Sequence, residues 1–313
     1  MATAKEIRGR IDSIRDTQKI TNAMYLIAST KLRRAKYDLN TTRPYFDALQ
    51  VEIKRIFRTA PDIKSPFFYP DMAEHDLPGS YGYLVITADK GLAGAYNQNV
   101  LKEAMAQMAL HENPKLYVVG EYGRHYFEAR GIPMEEKFLY TAQNPTIPRA
   151  REIASLLLEA YLTGKLSKIF VIYTDEESAL TSEAKTMRLL PFHRADFTSH
   201  PEEVEVKEPF DFRPSVKAVL DGIVPNYVGG FIYAALIASF SCEQQARMNA
   251  MDTANRNAEE LLDELEIEYN EVRQSAITQE ITEIAGAAKA MKRKQEERRA
   301  RQALAREKKG GGA

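Results

Sequence analysis

Four features of this sequence carry residue types that could do chemistry. The run Asp89-Lys90-Gly91-Leu92-Ala93-Gly94-Ala95 follows a β-branched apolar stretch, where a phosphate-binding loop would sit. It has neither the G-x-G-x-x-G spacing nor a G-K-[ST] ending, so its two glycines read as backbone requirements of a strand-to-helix turn. Asp175-Glu176-Glu177 could supply paired carboxylates for proton transfer, but no His or Lys stands close by, and the run reads as a solvated loop. The five histidines (His75, His111, His125, His193, His200) are scattered without metal-ligand spacing. Cys242 is the only cysteine, which excludes a disulfide and a structural zinc set and fits a reducing compartment. No catalytic residues, cofactor or metal are expected.

The elements around these residues say more. From Phe231 to Ala285 there is no Gly or Pro, and the stretch is dense in Ala, Leu, Ile, Glu, Gln and Arg. As helix it would span on the order of 80 Å, beyond the width of a small domain. Arg10 to Arg43 is likewise free of Gly and Pro. Ile7, Ile11, Ile14, Gln18, Thr21, Tyr25, Ala28, Leu32, Ala35 and Leu39 recur at steps of three and four, the seam of a left-handed coiled coil. The step continues through Phe46, Leu49, Ile53 and Ile56, with Pro44 expected to kink or interrupt the helix. At the other end Ala258, Leu262, Leu265, Tyr269, Val272 and Ala276 share one phase. Ile277, Ile281, Ile284, Ala288 and Met291 share another, offset by one residue, and the offset lets the helix leave its partner. The two terminal helices therefore read as an antiparallel coiled coil with polar residues in its seam.

The middle is different. Pro61, Pro66, Pro70 and Pro78 end the first helix. Tyr81–Thr87, Lys115–Gly120 and Lys168–Thr174 read as buried strands, and helix-like stretches lie near 98–111, 123–130 and 149–162. That alternation argues a mostly parallel α/β sheet. A polar passage from His193 to Pro214 returns the chain to helix. The organisation is thus 1–58 as an N-terminal helix, 77–212 as an α/β domain, 213–288 as a C-terminal helix and 289–313 as a basic extension. Formal net charge is −1, yet Lys289 to Lys309 holds ten Lys/Arg and three Glu, a net of +7. Such a tail could meet nucleic acid, anionic lipid or an acidic protein surface. No run of eighteen apolar residues suggests a membrane span, and the acids near the N-terminus argue against a signal or transit peptide.

Several of these stretches form a pattern. Lys5-Glu6-Ile7-Arg8-x-Arg10-Ile11, Thr17-Gln18-Lys19-Ile20-Thr21-x-Ala23-Met24 and Ser29-Thr30-Lys31-Leu32-Arg33-Arg34-Ala35 resemble the opening of the γ subunit of F-type ATP synthases. Asp89 to Asn97 is similar to that family's first strand turn. Glu243-Gln244-Gln245-Ala246-Arg247-Met248 resembles its C-terminal signature, as does Tyr269-Asn270 with Arg273-Gln274-Ser275-Ala276-Ile277-Thr278-Gln279-Glu280. The resemblance covers about residues 1 to 288.

The resemblance implies an antiparallel coiled coil of N- and C-terminal helices plus a Rossmann-like mostly parallel α/β domain. It implies a shaft inside the α3β3 hexamer, its globular domain on the ε subunit and the membrane c-ring. Ion-driven rotation would then bias each catalytic β subunit in turn, with no catalysis on this chain. By motif position, Arg273 and Gln274 would hydrogen-bond a loop of β, and Thr278, with Gln279 beside it, lies one turn further on. Met24 would face the lever helices of β, with seam packing as the other reading, and Arg247 would lie at a comparable level on the opposing helix. Lys31, Arg33 and Arg34, in the Lys31 to Lys36 cluster, would suit acidic lever loops of β.

Asn22, Cys242 and Ser275-Ala276 depart mildly from the pattern, which often has Lys, Ser and another small pair there. The extension past Ala288 reads first as a disordered, solvated tail, with a helix reaching the δ subunit or the α/β crown as the other reading. The expected location is the cytoplasmic face of a bacterial membrane, peripherally bound, with H⁺ or Na⁺ left open as the coupling ion. Two other functions stay in view: a coiled-coil adaptor holding nucleic acid through its basic tail, and an enzyme with a ligand cleft at the strand ends.

Overall fold

The first helix begins with a reciprocal cap: the Glu6 carboxylate accepts from the Thr3 amide at 2.8 Å, and the Thr3 hydroxyl accepts from the Glu6 amide at 3.3 Å. This Thr-x-x-Glu box satisfies donors that a helix start otherwise leaves open. The structure is a computed structural model that describes residues 3–60, 63–69, 77, 79–177, 181–193 and 211–310, without the side chains of Arg58 and of 299–310. The chain divides into two compact units, one formed by Met1–Asn22 with Thr253–Ala313, the other by Ala23–Asp252. Much of the expected passage from His193 to Pro214 lies outside the described residues.

In the first unit, the start of α1 (Ala4–Thr59) lies along the later part of α5 (Val216–Gly310). Three pairs set the direction. Arg15 bonds Glu266 at 2.6 Å, Gln18 donates to Glu259 at 3.3 Å, and the Thr21 hydroxyl bonds Asn255. One number rises as the other falls, so the helices are antiparallel. Ile7 and Ile11 on α1 are buried, and so is Ala258 on α5, with Leu262, Leu265, Tyr269 and Val272 half-buried. The polar seam residues Gln18 and Thr21 each find a polar partner, which fixes register as a buried polar position does in a coiled coil.

The second unit is built on a four-stranded sheet in the order β2-β1-β3-β4. The strands are β1 (Tyr81–Ile86), β2 (Pro114–Val119), β3 (Lys168–Glu176) and β4 (Ser182–Leu190). β1 pairs parallel with β2 and β3, and β4 closes antiparallel on β3. The crossover helices are α2 (Tyr96–Met108), α3 (Glu121–Glu128) and α4 (Ile147–Leu162). Period-two alternation splits β1 between faces: Leu84 and Ile86 join one core with residues of α1, α4 and α5, while Tyr83 and Val85 join a second with residues of α2 and α3. Because both faces are covered, the strand reads as a continuous apolar run.

Three expectations change. Pro44 does not interrupt α1, which continues to Thr59. Pro44 is exposed, while Leu39, Phe46, Ile53 and Ile56 pack on the core on either side of it, so tertiary contact holds the helix through one lost backbone bond. α5 begins at Val216 and passes through Pro225, Gly229 and Gly230, fifteen residues ahead of the Gly/Pro-free window. Leu220, Val224, Val228 and Ile232, four apart, are all fully buried. Gly230 is required, since a Cβ there would meet the Phe46 ring at 2.0 Å. Finally, Asp175 and Glu176 belong to β3 rather than to a loop, and they pair with Lys185 and Lys36. α5 also contains a stretch long and apolar enough to cross a membrane, but 61% of it is buried within the protein. It is the helix that lines the core.

Candidate partner-binding site

The turn after β1 is closed by the chain's own groups. The Asp89 carboxylate accepts from the amides of Glu121 (3.2 Å), Ala142 (3.0 Å) and Gln143 (3.0 Å). These amides, one of them at the start of α3, are the donors that would otherwise cradle an anion. Asn97 accepts from the Ala88 amide at 2.9 Å, and Gly94 sits at φ 54. Gly120 at φ 99 lies so close to β1 that a Cβ would meet the Thr87 carbonyl at 2.4 Å. A carboxylate already occupies the anion position, so this strand end has no phosphate cradle. Among the described residues no cluster of His, Cys, Asp or Glu could hold a metal.

Arg247 completes this turn. Its guanidinium donates to the Gly91 carbonyl at 3.0 Å, to the Lys90 carbonyl at 3.4 Å and to Glu243 at 2.5 Å. The two side chains are only 11% and 5% exposed. Burial raises the Glu243 pKa, and Arg247 works against that rise. Arg247, expected as a partner contact, is thus committed within the chain to joining α5 to the β1 turn. Cys242 beside it is buried, and burial followed by the charges of Asp175 and Glu176 pushes its pKa up to about 12.

The other expected residues of this unit lie along α1. Met24 and Lys31 are half-buried, and Arg33 and Arg34 are exposed, with Arg34 4.0 Å from Asp38. Lys36 is tied to Glu176 at 2.8 Å. The sequence reading followed the seam and missed three neighbours of the arginines. Leu26 (59%), Ile27 (56%) and Tyr37 (70%) are exposed, and their steps of seven and three to Arg33, Arg34 and Tyr37 place them on the same outer face. The signal was present as apolar residues off the heptad phase.

In the other unit, α5 changes character after Val272. Every residue from Arg273 to Arg298 is exposed. Among the described residues Arg273 and Gln274 make no hydrogen bond or ion pair within the chain. The Thr278 carbonyl accepts from Thr282 at 2.8 Å, and Gln279 donates to Glu283 at 3.1 Å. Ile277, Ile281, Ile284 and Met291, the second phase, are 44% to 75% exposed. The helix therefore presents a polar group of four followed by an apolar stripe that none of the described residues covers.

Comparison with known proteins identifies the family. Residues 3–291 match the family described as ATP synthase. The ATP synthase gamma chain of Caldanaerobacter subterraneus subsp. tengcongensis is 40% identical over 296 residues, covering 91% of this chain and 98% of that protein. The sodium-ion-specific gamma chain of Acetobacterium woodii is 34% identical over 301 residues, covering 92% and 98%. Among solved structures, a chain of the Euglena gracilis mitochondrial ATP synthase (OSCP/F1/c-ring, rotational state 3) aligns with TM-score 0.61 at 16% identity, covering 92% of this chain and 94% of that one. At that identity the likeness speaks for the fold, and the fold agrees with the sequence relatives. The chain belongs to the ATP synthase gamma chain family.

Proposed function

We propose that this gamma chain is the central rotor shaft of a bacterial F1Fo ATP synthase, and that its exposed helical surfaces are where α3β3 is engaged. The protein is a non-catalytic subunit of the rotary ATP synthase. The observation that carries the surface assignment is the contrast along α5. Up to Val272 the helix pairs with α1, and from Arg273 to Arg298 it is exposed, with Arg273 and Gln274 unpartnered among the described residues and a following apolar stripe. An asymmetric stripe offers different contacts to each of three surrounding β subunits. In physical terms it is a ligand with differential affinity for their conformations, and turning it moves the bias from site to site.

Arg273, Gln274, Thr278 and Gln279 act as polar catches on β. Met24, Lys31, Arg33 and Arg34, joined by Leu26, Ile27 and Tyr37, contact the lever region of β. Arg247 contributes by holding α5 to the α/β domain, so that torque entering one reaches the other. The α/β domain rests on the ε subunit and the c-ring, which places the chain peripherally at the cytoplasmic face of the membrane. Nothing in the structure favours the nucleic-acid adaptor, and the amides at the β1 turn that could have cradled an anion are taken by Asp89.

The test is co-purification with α and β followed by ATPase assays. A stable α3β3γ complex with gamma-dependent multisite turnover is expected. In that complex Arg273→Ala loses a charged hydrogen bond, a loss of about 10- to 100-fold in coupled rate if its full ~1.5–3 kcal/mol acts in the limiting step. No complex, or an Arg273→Ala complex with unchanged coupling, would overturn the respective parts of the reading.

A further inference from the structure

Beside β2, at the edge of the sheet, the chain leaves a space that it does not fill. After α3 it turns back through Gly131, at φ 66, and the Ile132 amide donates to the Phe127 carbonyl at 3.0 Å. The returning segment is fastened to β2 at two points. The Glu135 amide donates to the Leu116 carbonyl, and the Gly120 amide donates to the Tyr140 carbonyl, both at 2.9 Å. Between α3 and residues 132–139 lies an open cleft of about 600 Å³. That size falls within the range of about 300–1,000 Å³ at which protein clefts hold a ligand. Its apolar lining includes Val118, Ile132, Met134 and Leu139, the last 69% exposed. Its charged lining is acidic: Glu121, Glu128, Glu135 and Glu136 stand against Arg124, a formal −3 with His125 neutral.

The nearby cations do not offset that charge. Arg124 is spent on Glu121 at 2.5 Å and on the Tyr140 carbonyl at 2.9 Å. Arg130 lies over the Tyr126 ring at 3.6 Å, and Lys137 does not line the cleft. His125 is 3.9 Å from Glu121 and 3.7 Å from Glu128. Glu135 and Glu136 are exposed and form no ion pair among the described residues. Nor do the carboxylates converge as a metal site would require, since no three of them come together among the described residues. They are strung along the cleft beside an apolar floor. Negative charge repels nucleic acid and anionic lipid and attracts cations. Charges spaced along a groove match a chain whose own charges are spaced in the same way. We propose that this cleft docks a basic peptide segment of a partner protein. An apolar side chain of that segment seats on Ile132, Met134 and Leu139, and its Lys or Arg side chains meet Glu128, Glu135 and Glu136. The apolar anchor supplies affinity, and the acidic rim sets register and speeds encounter. This surface shares no residue with those assigned to α3β3 and does not depend on that assignment.

Two measurements test it. The first titrates the free full-length chain with an amidated Leu-Arg-Leu-Arg-Leu-Arg peptide, with the same peptide carrying Ser for Leu, and with one carrying Glu for Arg. Only the first should bind, with a Kd of about 100 µM or tighter at low salt, weakening about tenfold in ~0.5 M salt. Glu135→Gln with Glu136→Gln should weaken it at least about tenfold. Glu159→Gln with Glu183→Gln, at exposed positions outside the cleft, should change it less than about twofold. No binding, equal loss from both pairs, or equal binding of the serine peptide overturns the site. The second measurement places p-benzoylphenylalanine at Leu139 in the assembled ATP synthase. Light should cross-link it to a segment of another subunit that has Lys or Arg beside the attached residue, and the Glu135→Gln, Glu136→Gln change should abolish the cross-link. Attachment to lipid, to this chain alone, or to a segment without basic residues overturns the choice of partner. Failure of the enzyme to assemble removes the rotor reading and leaves the peptide titration to decide this one.

Discussion

The Arg247 guanidinium donates to the Gly91 carbonyl at 3.0 Å, binding the middle of α5 to the turn that follows the central strand. The same guanidinium neutralises Glu243, which is 5% exposed in its side chain. Replacing Arg247 with Ala leaves that carboxylate buried without its cation, a change worth about 3–5 kcal/mol. Arg247→Lys keeps a charge but loses the fork that serves three acceptors, and should recover less than half of the loss. Denaturant midpoints of the two variants check this. The Arg247→Ala, Glu243→Gln double variant should be more stable than the sum of its single changes, because the stranded charge is gone.

Asp89 is the second tie at this turn. With three backbone amides on one carboxylate, Asp89→Ala strands donors contributed by α3 and by the 142–143 loop. The expected cost is about 2–3 kcal/mol, near that of partly buried amides left without acceptors. Asp89→Asn retains one carbonyl oxygen and sets an amide NH₂ against the Gln143 N–H, so it should fall between Ala and the parent. Thermal midpoints in that order support the assignment. A fully stable Ala variant contradicts it.

What the sequence disclosed and what it hid differ by kind. The 3.5-residue seam was readable because Ile7, Ile11 and Ala258 are apolar positions whose burial comes from one partner helix. β4 was not readable. Ser182-Glu183-Ala184-Lys185-Thr186-Met187-Arg188 is an edge strand, half exposed along most of its length, with charges where a central strand would be apolar. Its register comes from β3 and not from its own pattern. Pro44 misled because local backbone preference was overruled by Phe46 seated on Gly230, a contact far apart in sequence. Motif position singled out Arg273 and Gln274, which lie exposed on α5. The motif could not say that Arg247 turns inward, since the carbonyls it serves are more than 150 residues away.

Glu243 should make stability depend on pH. Burial raises its folded pKa above the ordinary 4.5, Asp89 adds to the rise, and Arg247 and Lys31 oppose it. A carboxyl with a raised folded pKa binds its proton more tightly when folded. Its contribution is therefore fully present below about pH 4.5 and is lost as pH climbs through the folded value. The stability of the parent chain relative to Glu243→Gln should accordingly fall between pH 4 and pH 7, the Gln variant having no proton to lose at this position. Paired denaturation curves across that range read the difference directly. A difference that grows with pH would mean that Arg247 outweighs burial.

Cys242 gives the most direct test of the packing between α5 and the sheet. It lies in a small cluster with Ala88, Ala93 and Tyr96, 4% exposed, and its pKa is pushed up to about 12 by burial and by the nearby carboxylates of Asp175 and Glu176. Alkylation requires the thiolate, which at pH 8 is about 10⁻⁴ of such a thiol, against roughly a quarter of a free one. Iodoacetamide should then label the native chain at least a thousandfold more slowly than the chain in urea. Arg247→Ala loosens the tie between α5 and the turn beside this thiol, and labelling should accelerate in that variant in proportion to local opening rather than to global unfolding. If the native chain is labelled as fast as a free thiol, α5 does not pack on the β1 turn as described, and the mechanical link through Arg247 fails with it.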